Sequence, residues 1–334
     1  MMFKASILAT IATAVLAANA HDRSYYEEKF FDFLQKFEVK LENGEEFLKR
    51  LQIFADNVDI IEKHNADPTQ TFKMGFNKFT HMTFEEFKDT VRIGGARIPN
   101  LRKNPDGPMH EAPADRSTLG SEVDWVAKGA VTDVKDQGNC GSCWSFSTTG
   151  SLEGAYYLKT GSLTAFSEQE MVSCDNVDAG CNGGWMDDAF EFVKKNGGLP
   201  TEEDYPYTSG TTGKSGTCET GHTNVAAVAP KSYTDVRSNV DALMSAVAQQ
   251  PVSIAIQANQ LAFQFYDSGV LTGNCGQRLD HGVLAVGYGT ENGVDYWKVK
   301  NSWGDSWGED GYIKIERSDA DLCGVLDAAS YPNL

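Results

Sequence analysis

Apolar residues recur at helical spacing in the first part of the chain and at strand spacing in the last. Over residues 25–65 the pattern predicts two helices. Phe30, Phe33, Leu34, Phe37 and Leu41 form an apolar stripe on the first, and Asn43-Gly44 breaks it. On the second, Glu46, Arg50, Phe54, Asn57, Ile61 and Asn65 step by three or four along one face, with Glu46 and Arg50 set as an i,i+4 ion pair. By pattern alone this is an amphipathic helix with a solvated edge. Helical spacing also dominates 143–195, beginning with a helix over 143–158 that Gly161 would close. Residues 283–288, 296–300 and 312–316 read as strands, with Asn292-Gly293 as a turn. The Gly and Pro content of 91–105 predicts an extended path, and that of 210–216 a flexible surface loop.

The N-terminus fits neither period. Lys4 precedes an almost wholly apolar run at 5–17, and Ala18-Asn19-Ala20 fits an A-x-A cleavage site, which predicts a secretory signal peptide over 1–20. No other apolar run has the length of a membrane span. With 41% hydrophobic and 11% aromatic residues among 334, the chain can bury a sizeable core. The net charge of −18 argues against nucleic acid as a partner, because phosphate binding needs a basic face. The charge is uneven. Residues 21–118 carry 15 Lys+Arg against 18 Asp+Glu, whereas residues from 119 onward carry 13 against 29. Arg92, Arg97, Arg102 and Lys103 lie together in 91–105 without an acid. That stretch is either a solvated linker or a basic strand that docks on the acidic remainder and loosens as carboxylates protonate. No N-x-[ST] sequon occurs, so no N-linked glycan is expected.

Candidate chemistry centres on Cys140-Gly141-Ser142-Cys143-Trp144-Ser145-Phe146. Cys143 would open the helix at 143–158, where the dipole favours a thiolate, and Gln137 supplies an amide donor for an oxyanion. A thiol nucleophile needs a basic partner. Beyond residue 118 the histidines are His222 and His281. His222 lies in a polar loop, Thr220-Gly221-His222-Thr223, with no partner in view. His281 lies in Leu279-Asp280-His281-Gly282-Val283, at the start of an alternating strand. Asn301, in Lys300-Asn301-Ser302-Trp303-Gly304, offers an amide oxygen that can accept an imidazole N–H. Seven cysteines are an odd number, which in a secreted chain flags an unpaired thiol or an intermolecular bond. Six cysteines alone allow about 15 connectivities, so spacing leaves the pairing open. Cys140-x-x-Cys143 has no second C-x-x-C or H-x3-H behind it, so no metal or other cofactor is expected.

These motifs resemble those of the papain and cathepsin cysteine proteases. C-G-S-C-W is that family's local signature around its nucleophile. The blocks around His281 and Asn301, the latter NSWGDSWGEDGY, are similar to its histidine and asparagine blocks. The pattern E-x3-R-x3-F-x2-N-x3-I-x3-N resembles the inhibitory propeptide helix of cathepsin L-like zymogens. Gly75, Asn77 and Phe79 resemble the short strand motif G-x-N-x-F-x-D that follows it there, with His81 in place of the aspartate. A group that titrates at about 6.5 thus replaces one at about 4. His81 is either a silent surface residue or an altered acid sensor.

The resemblance implies an α+β, papain-like two-lobe fold, with a helical left lobe and a β-barrel-like right lobe, preceded by a helical inhibitory propeptide domain. It divides the chain into a signal peptide at 1–20, a propeptide at 21–115 and a peptidase at 116–334. The mature start would fall within 112–120, ahead of Val123-Asp124-Trp125. It implies the disulfides Cys140–Cys181, Cys174–Cys218 and Cys275–Cys323, which leave Cys143 free. It casts Cys143 as nucleophile, His281 as acid–base, Asn301 as the residue that orients the ring, Trp303 as its cover, and Gln137 as an oxyanion donor. Gly183, Gly184, Trp185, Met186, Ala255, Leu279, Gly282 and Ala328 would line the S2 pocket and cleft. Alanine at 328, where cathepsin B-like enzymes carry glutamate, implies bulky apolar residues at P2. The lack of paired histidines between Cys181 and Cys218 implies an open cleft and endopeptidase action. Expected partners are protein and peptide substrates, the chain's own propeptide and cystatin-like inhibitors. The expected state is a monomer in the secretory pathway, bound for a lysosome or vacuole or for the extracellular space.

Overall fold

The computed structural model describes residues 19–91, 107–273 and 275–334. Residues 1–18, where a signal peptide is expected, and Arg92, Arg97, Arg102 and Lys103, lie outside the described residues.

Helix α1 (Arg23–Lys36) is capped by Asp22, whose side chain accepts the Tyr25 N–H, and α2 (Gly44–Ala66) by Asn43, which accepts from Glu45 and Glu46. The pair buries Phe30, Phe33, Leu51, Phe54 and Val58 in a core of its own. Helix α1 stops earlier than its apolar stripe suggested. Glu38 takes a left-handed φ of 51°, and the Phe37 and Val39 N–H groups bond back to the Phe33 and Leu34 carbonyls. Leu41 still packs on the same core from a non-helical path, so periodicity outlasts the helix. The expected Glu46–Arg50 pair is not made either. Arg50 reaches Glu86 at 2.6 Å, and the Glu46 carboxylate accepts the Glu42 N–H at 2.6 Å.

The polar side chains of α2 hold the segment that follows. Asn57 donates to the Thr80 and Met82 carbonyls, both at 2.9 Å. Asn65 exchanges two bonds with the Met74 backbone, at 2.7 and 3.0 Å. Strand β1 is only Phe72–Met74, so Gly75, Asn77 and Phe79 fall in the turn beyond it, not in a strand. Helix α3 (Phe84–Thr90) then starts on a Thr83–Glu86 capping box.

The sheet continues through β2 (Met109–His110), β3 (Val123–Asp124), β4 (Ser232–Val236), β5 (Val252–Ile256), β6 (Tyr266–Leu271), β7 (His281–Glu291), β8 (Val294–Lys300), β9 (Tyr312–Glu316) and β10 (Ala329–Asn333). The order is β1-β6-β9-β8-β7-β5-β10-β4-β2, with β3 beside β7. The sheet is not closed, and together with the helices it makes the α+β two-lobe structure that was expected. Both outer positions are taken by strands that precede residue 116: β1 lies antiparallel to β6, and β2 parallel to β4. Such cover satisfies backbone groups that an edge would leave open. Strand β7 does not alternate. Its first nine residues are all buried, because sheet core packs on one side and the helical lobe on the other. Asn292 and Gly293 make the β7–β8 turn with φ of 51° and 82°, the pattern of a type I′ hairpin.

The helical stretch resolves into α4 (Cys143–Thr160), α5 (Glu168–Cys174) and α6 (Met186–Asn196). They share a core of Leu152, Phe166, Met171, Phe190 and Val193. Ile254, Trp297, Val299, Ile313 and Ile315 fill the sheet lobe. Disulfides Cys140–Cys181 and Cys174–Cys218 tie the helical lobe and Cys275–Cys323 the sheet lobe, leaving Cys143 free.

Candidate active site

Cys143 is the first residue of α4. The Ser142 hydroxyl ahead of it makes no cap bond and meets the Tyr207 hydroxyl at 2.7 Å instead. The positive end of an 18-residue helix, closed by Gly161 at φ 79°, therefore bears on the thiol. Ser147, one turn further along, donates to the Val283 carbonyl at 2.7 Å, which fixes α4 against β7. His281 opens β7, and Cys143, His281, Trp185, Met186, Ala255 and Gly282 line one small cavity between the lobes.

His281 Nε2 meets Asn301 Oδ1 at 2.8 Å, and the same oxygen accepts the Ser302 N–H at 2.8 Å. Nδ1 of the ring is buried and has no hydrogen-bond partner among the described residues. Trp303, fully buried, lies over the imidazole with ring centres 4.8 Å apart and a 26° tilt. Burial pushes the His281 imidazole down to about 4 and the Cys143 thiol up to about 11, against smaller opposing effects from hydrogen bonds. In the covered state both groups are thus held neutral at neutral pH.

Gln137 is almost wholly buried. Its Oε1 accepts from Ser302, while Nε2 donates to the Cys140 carbonyl at 3.0 Å and to the Val91 carbonyl at 3.2 Å. The amide proton aimed at the cleft is therefore occupied by the N-terminal segment, a bond no sequence pattern announces. The same segment covers Trp303. Phe79 and Phe87 stand edge-on to its indole, at 5.9 and 5.5 Å between ring centres. Asn77 anchors them by donating to the Gln264 carbonyl at 2.8 Å. Gly75 lets the Asp267 side chain close in, since a Cβ there would lie 2.6 Å from its carboxylate.

Other candidates are placed as follows. His81 is half-buried, 5.4 Å from the Phe33 ring, and its Nδ1 has no partner among the described residues. Burial first, and the Arg50 charge second, push it down to about 4, so it does not titrate at the ordinary histidine value. His222 does have partners. It stacks on Tyr205 at 4.1 Å and faces Glu219 and Asp204 at 3.6 and 3.8 Å, away from the cleft. Trp185, Met186 and Ala328 border a second cavity, of about 340 Å³, which Met109 also lines. Asp187 lies on its wall, accepting from Trp185 Nε1 at 3.0 Å and from Ser330 at 2.6 Å, and sequence reading missed it. Leu279 is part-buried against the helical core. Gly183 needs its φ of 108°, and a Cβ on Gly184 would lie 2.6 Å from the Trp144 ring.

The chain matches the family model "papain family cysteine protease" over residues 119–333 and the "cathepsin propeptide inhibitor domain" over residues 30–87. It belongs to the papain family of cysteine proteases. Germination-specific cysteine protease 1 of Arabidopsis thaliana is 48% identical over 85% of this chain and 77% of its own length. Cysteine proteinase RD21A of the same plant is 46% identical over 85% of this chain, which spans only 61% of that relative. Among solved structures, digestive procathepsin L 3 of Tenebrio molitor superposes with a TM-score of 0.81 at 39% identity, covering 92% of this chain and 99% of that one. The protein is a cysteine protease zymogen that carries its inhibitor domain on the same chain. No described helix is long and apolar enough to cross a membrane.

Proposed function

We propose that Cys143, His281 and Asn301 hydrolyse peptide bonds, and that the segment before residue 116 withholds them until it is removed. The observation that carries this reading is the 2.8 Å His281–Asn301 bond, which leaves the other ring nitrogen unpartnered in the cavity that also holds Cys143. Asn301 fixes the ring so that this nitrogen serves the thiol. Cys143, as thiolate, attacks the scissile carbonyl. Imidazolium His281 protonates the leaving amine and later takes a proton from the hydrolytic water, help worth roughly 10²–10⁴-fold. The Gln137 amide and the Cys143 N–H stabilise the oxyanion once the Val91 carbonyl has gone, each donor contributing about 10²–10³. Turnover of a Phe-Arg peptide reporter after acid treatment tests the reading. It should be blocked by a thiol alkylator and unaffected by a chelator; chelator sensitivity alone would overturn it.

Gly183, Gly184, Trp185, Met186, Ala255, Leu279, Gly282 and Ala328 form the S2 wall and cleft, and the apolar Trp185, Met186 and Ala255 favour Leu, Val or Phe at P2. We expect kcat/KM with Phe or Leu at P2 to exceed that with Arg by about tenfold or more. A preference for Arg would contradict it. The chain enters the secretory pathway on residues 1–20, is cut within 112–120, and acts as a monomeric endopeptidase in an acidic vesicle or outside the cell, open to cystatin-like inhibitors.

Release by acid is supported by His81. Its pKa is about 4 in the packed segment against about 6.5 when free. Its contribution to that fold is complete above 6.5 and is lost as pH falls towards 4, to the extent of roughly 3 kcal/mol. The aspartate of related propeptides would also gain one positive charge in this range, so the replacement keeps the direction of the switch. His81→Phe should therefore shift half-maximal self-processing to lower pH. An unshifted profile would remove His81 from the mechanism.

A further inference from the structure

Asp175 and Asp178 lie in the loop between α5 and α6, outside the catalytic group. Each carboxylate has one oxygen bonded to backbone. Asp175 Oδ1 accepts the Val177 N–H at 2.8 Å, and Asp178 Oδ1 accepts the Trp185 N–H at 2.8 Å. The second oxygen of each, Oδ2, is buried without a donor among the described residues. The two carboxyls are within hydrogen-bond reach of each other. Two ionised carboxylates in this setting would repel with no compensating donor, whereas one proton between them satisfies both orphaned oxygens.

We propose that Asp175 and Asp178 share a single proton, and that the protonated pair positions the substrate-contacting backbone of residues 183–185. Asp178 is joined to that backbone twice. It holds the Trp185 N–H, and its carboxyl carbon would lie 2.7 Å from a Cβ built on Gly184, so it backs the glycine directly. Trp144, the residue after Cys143, closes on the same Cβ position, at 2.6 Å, so the Gly184 backbone, the Asp178 carboxyl and the Trp144 ring meet at one point. The loop is further held by the Ala179 N–H to the Gly183 carbonyl at 2.9 Å and by Cys140–Cys181. A shift of the Asp178 carboxyl therefore moves residues 183–185 relative to the thiol without touching the thiol.

The charged groups that share a surface groove with Asp175 are Asp188, Glu191 and Lys195 of α6, and Asp188 also bears on Asp178. Burial, followed by the Asp175 charge, raises Asp178 to about 8. In the folded chain Asp178 keeps its proton below about 8, while the stability this adds is complete only below the unfolded value of about 3.9 and fades as pH rises to 8. The paired state is thus complete at acid and neutral pH, and mutual repulsion sets in above about 8.

The inference rests on reading residues 183–185 as substrate-contacting, and the experiment separates the two. The whole zymogen is expressed, processed, and assayed with a peptide reporter from pH 6 to 9, alongside the rate at which iodoacetamide alkylates Cys143. KM should rise about tenfold between pH 7 and 9 with no matching break in the alkylation rate. In Asp178→Asn, the amide can accept from Trp185 and donate to the Asp175 carboxyl without itself titrating, so the alkaline rise in KM should vanish. Asp178→Ala should raise KM at all pH values. A rise that persists in Asp178→Asn, or no rise in the unsubstituted enzyme, overturns the shared proton. A change in kcat alone with constant KM overturns the link to substrate binding. Absence of Cys143-dependent turnover in every form would instead sink the protease assignment of the site.

Discussion

Replacing His281 with alanine is expected to lower kcat/KM by about 10⁴–10⁶, nearly as much as replacing Cys143, because the two act as one unit. The physical reason lies in the solvation of the pair. Cys143 is only partly exposed, so water gives its charge limited help, and the α4 terminus alone is worth only about 1 kcal/mol. The imidazolium is the remaining source of stabilisation once the covering segment leaves. Asn301→Ala should cost less, since it removes the group that fixes the ring and leaves both reacting groups in place. The double variant Cys143→Ala/His281→Ala should be scarcely worse than either single one. Additive losses, measured on forms with equal near-ultraviolet circular dichroism, would mean that the residues do not cooperate.

The second large effect is expected at Phe79, far from any reacting atom. Its ring is buried against Phe87 at 5.1 Å and against Trp303, which in turn lies on His281. Truncating a buried phenylalanine costs about 3–5 kcal/mol, and 3 kcal/mol is roughly 10² in the open population. Phe79→Ala zymogen should therefore be alkylated at Cys143 about 100-fold faster at pH 7 than the unsubstituted zymogen. Asn77→Ala, which loses the bond to the Gln264 carbonyl and the one its amide oxygen accepts from the Phe79 N–H but exposes no new apolar surface, should act in the same direction more weakly. Unchanged alkylation in both variants would show that the aromatic contact with Trp303 does not hold the segment closed.

Much of this was legible from local patterns. Cys143, His281 and Asn301 each sit in short blocks whose neighbours mark them as candidates, and the stepping polar residues of α2 stood out against an ordinary amphipathic face. The bond partners of those polar residues were not legible, because they are backbone carbonyls of an irregular turn. Arg50 illustrates the limit. Helical spacing favoured Glu46, but Glu86, 36 residues on, offers a carboxylate already held by the α3 cap. The value of His81 depended on burial against Phe33, and the Asp175–Asp178 contact on a loop path, neither of which has a periodicity. The ends of the sheet were hidden for a similar reason. Its outer strands β1 and β2 are three and two residues long, too short to leave a pattern.

The covered state unites these features. Val91 occupies the Gln137 donor, Phe79 and Phe87 clasp the cover of His281, and burial keeps thiol and imidazole uncharged. The central claim is that removal of the N-terminal segment lets Cys143 and His281 form a charged pair. The most direct measurement is the pH dependence of Cys143 alkylation in the zymogen, the processed enzyme and processed His281→Ala. The account predicts fast alkylation of the processed enzyme at pH 6, well below the ordinary thiol value of about 8.5, slow alkylation of the zymogen at that pH, and loss of the low-pH reactivity in His281→Ala. A processed enzyme whose Cys143 reacts only as an ordinary thiol, with or without His281, would contradict it.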